Sequence, residues 1–362
     1  MSPVIEEPLA SCDPVTLQIV RGAWKAVQSE MEAVIERTAM SPFIREKKDF
    51  YAALFDGTGR LVAGSNLPVF GDVIAPIAEQ YPLDMMRPGD IFWFNDCYAS
   101  RGAVSHTPDQ VFVAPVFAEG KLSAFAQSWA HFNDVGGMRP GSLSPDCTEI
   151  YQEGIIVPPV RVAREGVIVE ELLRMFFRNS RFPEMVKGDT RASLAAIRLG
   201  ERRLSELFER FGRAKTVAAF DTLLAQTEEE LRTKLRALVP DGEYRFTDRI
   251  DGDGQGSGPI RLRYKLTVAP DRIVLDATES DDQAKGPVNF LMASGVPAMA
   301  RPSVATLRRP SMAARLRIMV TPRMPRGAGK FGCRIEPGRS LSSSMTGSTP
   351  PFSIIVAPPP RR

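Results

Sequence analysis

Apolar residues at Val20, Trp24, Val27, Met31 and Val34 recur at alternating four- and three-residue steps. They follow Asp13-Pro14, a capping aspartate and a proline suited to the first helical position. This predicts an amphipathic helix ending before Ser41-Pro42. Phe50 to Phe55 and Arg60 to Ala63 then flank Asp56-Gly57-Thr58-Gly59, the pattern of a hairpin and its turn. Gly71 to Met86 reads as a helix. Asp90 to Asn95, Gln110 to Phe117 and Leu122 to Trp129 read as strands of a mixed sheet. Two long helices are predicted between Pro183 and Leu238. Ile197, Leu204, Phe208 and Phe211 mark one apolar stripe, and Val217, Phe220, Leu224, Leu231, Leu235 and Leu238 the other. Pro240-Asp241-Gly242 stops them, and Tyr244 to Ile250, Ile260 to Val268 and Arg272 to Ala277 alternate like an antiparallel meander.

These elements make an α+β fold with mixed sheets and long packing helices. A core is expected over residues 1–240, a meander opening a truncated second part over 241–295, and a basic, low-order tail over 296–362. With 43% apolar and 25% charged residues in 362, the composition is that of a soluble globular chain. Charge is unevenly spread. Residues 301–362 carry eleven Arg and Lys330 against Glu336 alone, about +11 of a net +3, which leaves the preceding residues at about −8. The tail has no lysine run and little aromatic interleaving, so neither nucleic acid nor membrane is the expected partner. A disordered or aberrant, out-of-frame C-terminus is. Four cysteines without CxxC spacing fit reduced thiols, and the N-terminus lacks a basic region followed by an apolar one, so a cytoplasmic location is expected.

The candidate chemistry is concentrated in two places. The chain has only two histidines, and each opens a tetrad closed by aspartate: His106-Thr-Pro-Asp109 and His131-Phe-Asn-Asp134. An HxxD turn can aim imidazole and carboxylate at one point, and that donor set suits Zn, Mn or Fe better than Ca or Mg. The same spacing also fits two unrelated histidines, one capping a turn and one hydrogen-bonded in the core. The glycine run Asp251 to Gly258 begins like a calcium loop, but its twelfth position is Leu262, so a hairpin loop is expected. Gly329-Lys330 is followed by Phe331, and no phosphate-cradling loop for ATP is found. Ser105, Cys97 and Cys147 are weak candidate nucleophiles, lacking a free histidine as base.

Read together, several motifs resemble the hydantoinase B/oxoprolinase family, in the same order from about Asp13 to about Asn289. They are Arg37-Thr38-Ala39, Ser41-Pro42, Lys48-Asp49-Phe50, Asn95-Asp96-Cys97-Tyr98, Ser105-His106-Thr107-Pro108-Asp109, His131-Phe132-Asn133-Asp134-Val135-Gly136-Gly137-Met138-Arg139-Pro140-Gly141, Thr148-Glu149-Ile150-Tyr151-Gln152-Glu153-Gly154 and Gly188-Asp189-Thr190-Arg191-Ala192. The chain departs from the family at Cys97, where many members carry proline, and over Ala99 to Ser105, where many are shorter. Histidines near Leu67-Pro68-Val69 are also absent.

The resemblance implies a divalent metal, Zn or Mn, held by Asp49, His106, Asp109 and His131. Asp134 would orient His131. Arg139, read from its own Gly-Gly-Met-Arg-Pro-Gly loop, is a candidate to hold a phosphate or substrate carboxylate, with a solvated loop arginine the equal alternative. The resemblance further implies the B-type subunit of an ATP-dependent cyclic amide hydrolase. In such an enzyme metal-bound water attacks an amide activated by phosphorylation on a hydantoinase A-type partner subunit, which binds the ATP. Two alternatives are a subunit of acetone or acetophenone carboxylase type and a truncated, inactive copy.

Overall fold

In a computed structural model the chain is described over residues 12–64, 72–100, 102–142, 144–270, 272–289 and 353–357. Helix α1 (Pro14–Thr38) begins where expected because Asp13 Oδ1 accepts from the backbone N–H of Val15 at 3.1 Å and of Thr16 at 2.9 Å. A short helix α2 (Pro42–Arg45) follows.

Strands β1 (Phe50–Asp56), β2 (Leu61–Gly64), β3 (Ile91–Phe94), β4 (Asp109–Ala118), β5 (Lys121–His131), β6 (Val160–Arg164) and β7 (Val167–Ile168) form one seven-stranded sheet in the order β2-β1-β5-β4-β3-β6-β7. Every pairing in it is antiparallel. Both faces are covered, which is why β1, β4 and β5 read as nearly unbroken apolar runs. Successive side chains point to opposite faces. Ala52, Leu54, Ala114 and Ala126 pack beneath helices, while Tyr51, Ala53, Val111, Val113, Phe125 and Trp129 join Phe92, Phe94 and Ile74 in a second core.

The first core lies between this sheet, α1 and the long helix α5 (Pro183–Phe211). Small residues allow the close approach: a Cβ on Gly200 of α5 would fall 2.6 Å from Met31 Sδ and 3.1 Å from Ala126 Cβ. Helix α6 (Arg213–Leu238) buries its first turns, with Phe220 set edge-on to Trp24 at a centroid distance of 3.8 Å. The rest of its apolar stripe is half-buried through Leu224, Leu231 and Leu235 and exposed at Leu238.

Two expectations need adjusting. The stretch to Met86 is not one helix. Helix α3 (Ala75–Gln80) stops at Tyr81 and a 3-10 turn (Leu83–Met85) follows, because Pro82 has no N–H to donate and disfavours a helical Tyr81. Gly71 lies outside the described residues. The main sheet is antiparallel rather than mixed. The mixed pairing occurs in a second, four-stranded sheet of β8 (Gly242–Ile250), β9 (Ile260–Ala269), β10 (Arg272–Asp276) and β11 (Ser353–Ala357), where only β10 and β11 run parallel. Of the expected tail, β11 alone lies among the described residues, where its backbone pairs as a strand.

The loop from Asp251 to Gly258 joins the antiparallel pair β8 and β9, as a hairpin loop should. Its buried Asp253 carboxylate accepts from the N–H of Gln255 and Ser257, both at 2.8 Å, and of Gly286 at 2.7 Å. Helix α4 (Glu170–Arg178) covers the β6 side of the first core through Leu173 and Phe176. Among the described residues no helix is long and apolar enough to cross a membrane.

Candidate metal centre

The two histidines converge because of strand register. Asp109 opens β4 and His131 closes β5, and the two residues sit directly opposite each other in the antiparallel ladder. His106 reaches the same point from the turn before β4, where the Asp109 N–H donates to the His106 carbonyl at 3.2 Å. His106 Nε2 lies 3.0 Å from Asp109 Oδ1 and 3.0 Å from His131 Nδ1, and His131 Nδ1 lies 3.2 Å from Asp109 Oδ1. The ring centroids are 5.0 Å apart. Asp109 and His131 are buried and His106 is partly exposed.

Three lone-pair atoms at the corners of so small a triangle repel one another unless protons or a cation lie between them. Burial opposes charge on His106, but the adjacent Asp109, and more distantly Glu153 and Asp49, raise its pKa above the ordinary histidine value. Burial also opposes charge on Asp109, yet His106 and His131 hold its carboxyl well below the usual carboxylate range. A field that favours a proton at this point favours a cation there as well. Two imidazoles and a carboxylate are a donor set for Zn, Mn or Fe.

The neighbouring hydroxyl fits this reading. Ser105 Oγ is 2.8 Å from His106 Nδ1 and 3.3 Å from Asp109 Oδ2. If Nδ1–H donates to the hydroxyl and the hydroxyl donates to the carboxylate, His106 Nε2 keeps its lone pair for a ligand. His131 Nε2, on the far side of its ring, is buried and has no hydrogen-bond partner among the described residues.

The other expected residues sit differently. Asp49 is outside the cluster of three, and its carboxylate pairs with Lys47 at 2.9 Å. It is its backbone carbonyl that serves the centre, accepting the His131 N–H at 3.0 Å. Asp134 does not orient His131. Its buried carboxylate is occupied by the Arg181 guanidinium at 2.9 Å, the Arg181 N–H at 2.7 Å, Ser180 Oγ at 3.2 Å and the Gly141 N–H at 3.3 Å. Arg181 also donates to the carbonyls of Gly136, Gly137 and Arg139, so the two residues clasp the Gly136-Gly137-Met138-Arg139 loop. Arg139 is exposed and pairs with Asp146.

Sequence reasoning passed over Ser105 as a weak nucleophile, although its place beside His106 marked it as an orienting group. It also missed Arg181, whose partner Asp134 is 47 residues away. Gly136, Gly137, Tyr151, Gly154, Ile155 and Arg178 are among the residues that line an open cleft of about 750 Å³. Thr107 Oγ1 ties the chain between Tyr151 and Gly154 to the HxxD turn, donating to the Glu153 carbonyl at 2.9 Å.

The chain is 32% identical over 263 residues to the beta subunit of caprolactamase from Pseudomonas jessenii, covering 72% of this chain and 45% of that protein. The crystal structure of ATP-dependent caprolactamase from Pseudomonas jessenii matches with a TM-score of 0.71 at 30% identity, covering 77% of this chain and 48% of the other. The B-type subunit of a putative D-/L-hydantoinase from Pseudomonas sp. (strain NS671) is 32% identical over 301 residues, 79% of this chain and 50% of that protein. The acetophenone carboxylase delta subunit of Aromatoleum aromaticum is 31% identical over 247 residues, 67% of this chain and 36% of that protein. The chain thus spans half or less of the length of these relatives. Residues 13–314 match the family model described as hydantoinase B/oxoprolinase, a stretch that holds every residue of the centre and both long helices, and the chain belongs to that family.

Proposed function

We propose that this chain carries the hydrolytic centre of an ATP-dependent cyclic amide hydrolase, working with a hydantoinase A-type subunit that binds ATP and phosphorylates the amide oxygen. The observation that carries this reading is the triangle of His106 Nε2, Asp109 Oδ1 and His131 Nδ1. A lactam or cyclic imide is a poor electrophile because amide resonance feeds its carbonyl, and phosphorylation on oxygen turns it into an imidate phosphate open to attack by water. A divalent cation held by the three donors, Zn or Mn, would supply a water of lowered pKa and stabilise developing negative charge.

The protein's own part is to hold two neutral imidazole nitrogens and one carboxylate oxygen in place before the substrate arrives. Ser105 fixes the tautomer of His106, and the backbone of Asp49 fixes the height of His131 on the sheet. The apolar residues of the second core, Val111 and Trp129 next along the two strands, keep bulk water from the buried side.

The test is metal analysis of the chain purified together with its A-type partner, with and without His106→Ala. Stoichiometric metal in the wild type and its loss in the variant are expected. Full metal content in the variant would end the idea. The similarity to the delta subunit of an acetophenone carboxylase supports a second reading, in which the same centre steadies an enolate as it captures activated carbon dioxide. ATP turnover that requires bicarbonate and a ketone, instead of hydantoin or 5-oxoproline, would favour that reading.

A further inference from the structure

The motif Gly188-Asp189 on α5 lies away from the three donors and plays no part in the chemistry above, yet it makes a set of contacts that ends on His131. Asp189 is fully buried. Its Oδ1 accepts the backbone N–H of Met40 at 2.7 Å and of Ser41 at 3.0 Å, across nearly 150 residues of sequence. Gly188 beside it gives Met40 room, since a Cβ there would fall 2.3 Å from Met40 Sδ. Ser41 is the residue from which α2 starts, and its own side chain does not cap that helix.

From α2 the path continues in two strands of contact. Phe43 lays its ring against His131 at a centroid distance of 4.7 Å and a tilt of 30°. Its carbonyl accepts the Asp49 N–H at 3.0 Å, and the Asp49 carbonyl accepts the His131 N–H at 3.0 Å. A buried carboxylate that takes two backbone N–H groups from a distant segment, and pairs with no cation among the described residues, carries a desolvation cost with little local return. Its two hydrogen bonds seat the segment that holds His131 from above.

We infer that Asp189 is a positioning residue for the centre: through the N–H groups of Met40 and Ser41 it anchors the segment Met40 to Asp49, and that segment sets the ring plane and backbone height of His131. For its metal readout the inference rests on the function proposed above. For its local readout it does not.

The experiment compares Asp189→Ala, Asp189→Asn and Phe43→Ala with the wild-type chain by amide exchange without added metal and by competition of Zn against a chelator. Asp189→Ala is expected to speed exchange at the amides of Asp49 and His131 by at least about tenfold while α1 and β4 keep their protection. It should also weaken Zn binding by about 10- to 100-fold. Asp189→Asn retains a carbonyl oxygen as acceptor and should restore most of both.

Asp253→Ala, in the loop that joins β8 to β9, is the control for general loss of stability. Equal changes at His131 in that variant would overturn the proposal. So would wild-type exchange at His131 in a folded Asp189→Ala chain, whatever its metal content. If Asp189→Ala does not fold, Phe43→Ala, a half-buried change at the other end of the path, takes its place, and unchanged protection of His131 there overturns the inference. Faster exchange in a protein whose wild type binds no Zn would leave the anchoring intact and remove the proposed metal chemistry instead.

Discussion

At the scale of single residues, the Ser105 hydroxyl lies between His106 Nδ1 and Asp109 Oδ2, where accepting Nδ1–H would leave His106 Nε2 free. Ser105→Ala removes the acceptor for Nδ1–H and lets the ring turn or change tautomer. Metal affinity should fall by about 10- to 100-fold with the fold unchanged, as chelator competition on a variant of wild-type thermal stability would register. Asp134 and Arg181 belong to stability instead. Asp134→Ala leaves the Arg181 guanidinium without its carboxylate and frees the Gly136-Gly137 loop. Breaking such a buried pair costs about 3–5 kcal/mol, and the partial exposure of Arg181 lowers the expectation to about 2 kcal/mol in urea melts. Combined with Arg181→Ala, the loss should be well below additive. Asp189 adds a pH dependence. Burial, incompletely offset by the N–H groups of Ser41 and Met40, raises its carboxyl above the ordinary value. The folded chain therefore holds a proton that the unfolded chain has released, and this contribution to stability is full below the ordinary carboxylate pKa and is lost as pH rises through the raised one. Urea melts across the acid range should show the stability of wild type relative to Asp189→Asn declining with pH.

At the scale of elements, Gly200 shows how tightly the layers are set. Gly200→Ala places a methyl against Met31 and Ala126, and overpacking of this kind costs roughly 1–3 kcal/mol, readable as a lowered melting temperature. The apolar stripes of α1, α5 and α6 and the runs of β3, β4 and β5 were legible in the sequence because burial imposes a period on the residues that face a core. The break at Pro82 was legible in principle, since proline names its own effect, but apolar content across Ile74 to Met86 masked it. Of the centre, His106, Asp109 and His131 stood out through scarcity and spacing. The occupation of Asp134 by Arg181 and the seating of Met40 by Asp189 had no local signal, because each joins side chain to partner across tens of residues or more. No periodicity reports a contact of that kind.

At the scale of the whole molecule, the four-stranded sheet is lightly tied to the body. Gln255 Nε2 donates to the Pro145 carbonyl at 3.1 Å and the Arg236 guanidinium to the Pro270 carbonyl at 2.7 Å. β8 is exposed along most of its length, with Tyr244 and Phe246 open to solvent. Amides over residues 242–276 are therefore expected to exchange well before those of β4 and β5, and uniform protection across both sheets would contradict this. The pairing of Asp109 with His131 has a different consequence. Side chains on neighbouring strands meet by count, so a one-residue slip in the pairing of β4 with β5 would send the carboxylate and the imidazole to opposite sides of the sheet. The hairpin works like the teeth of a zip, in which a single skipped tooth leaves both halves whole and the closure useless. A change of length in the turn that bears His106 would instead move one donor and leave the other two in mesh.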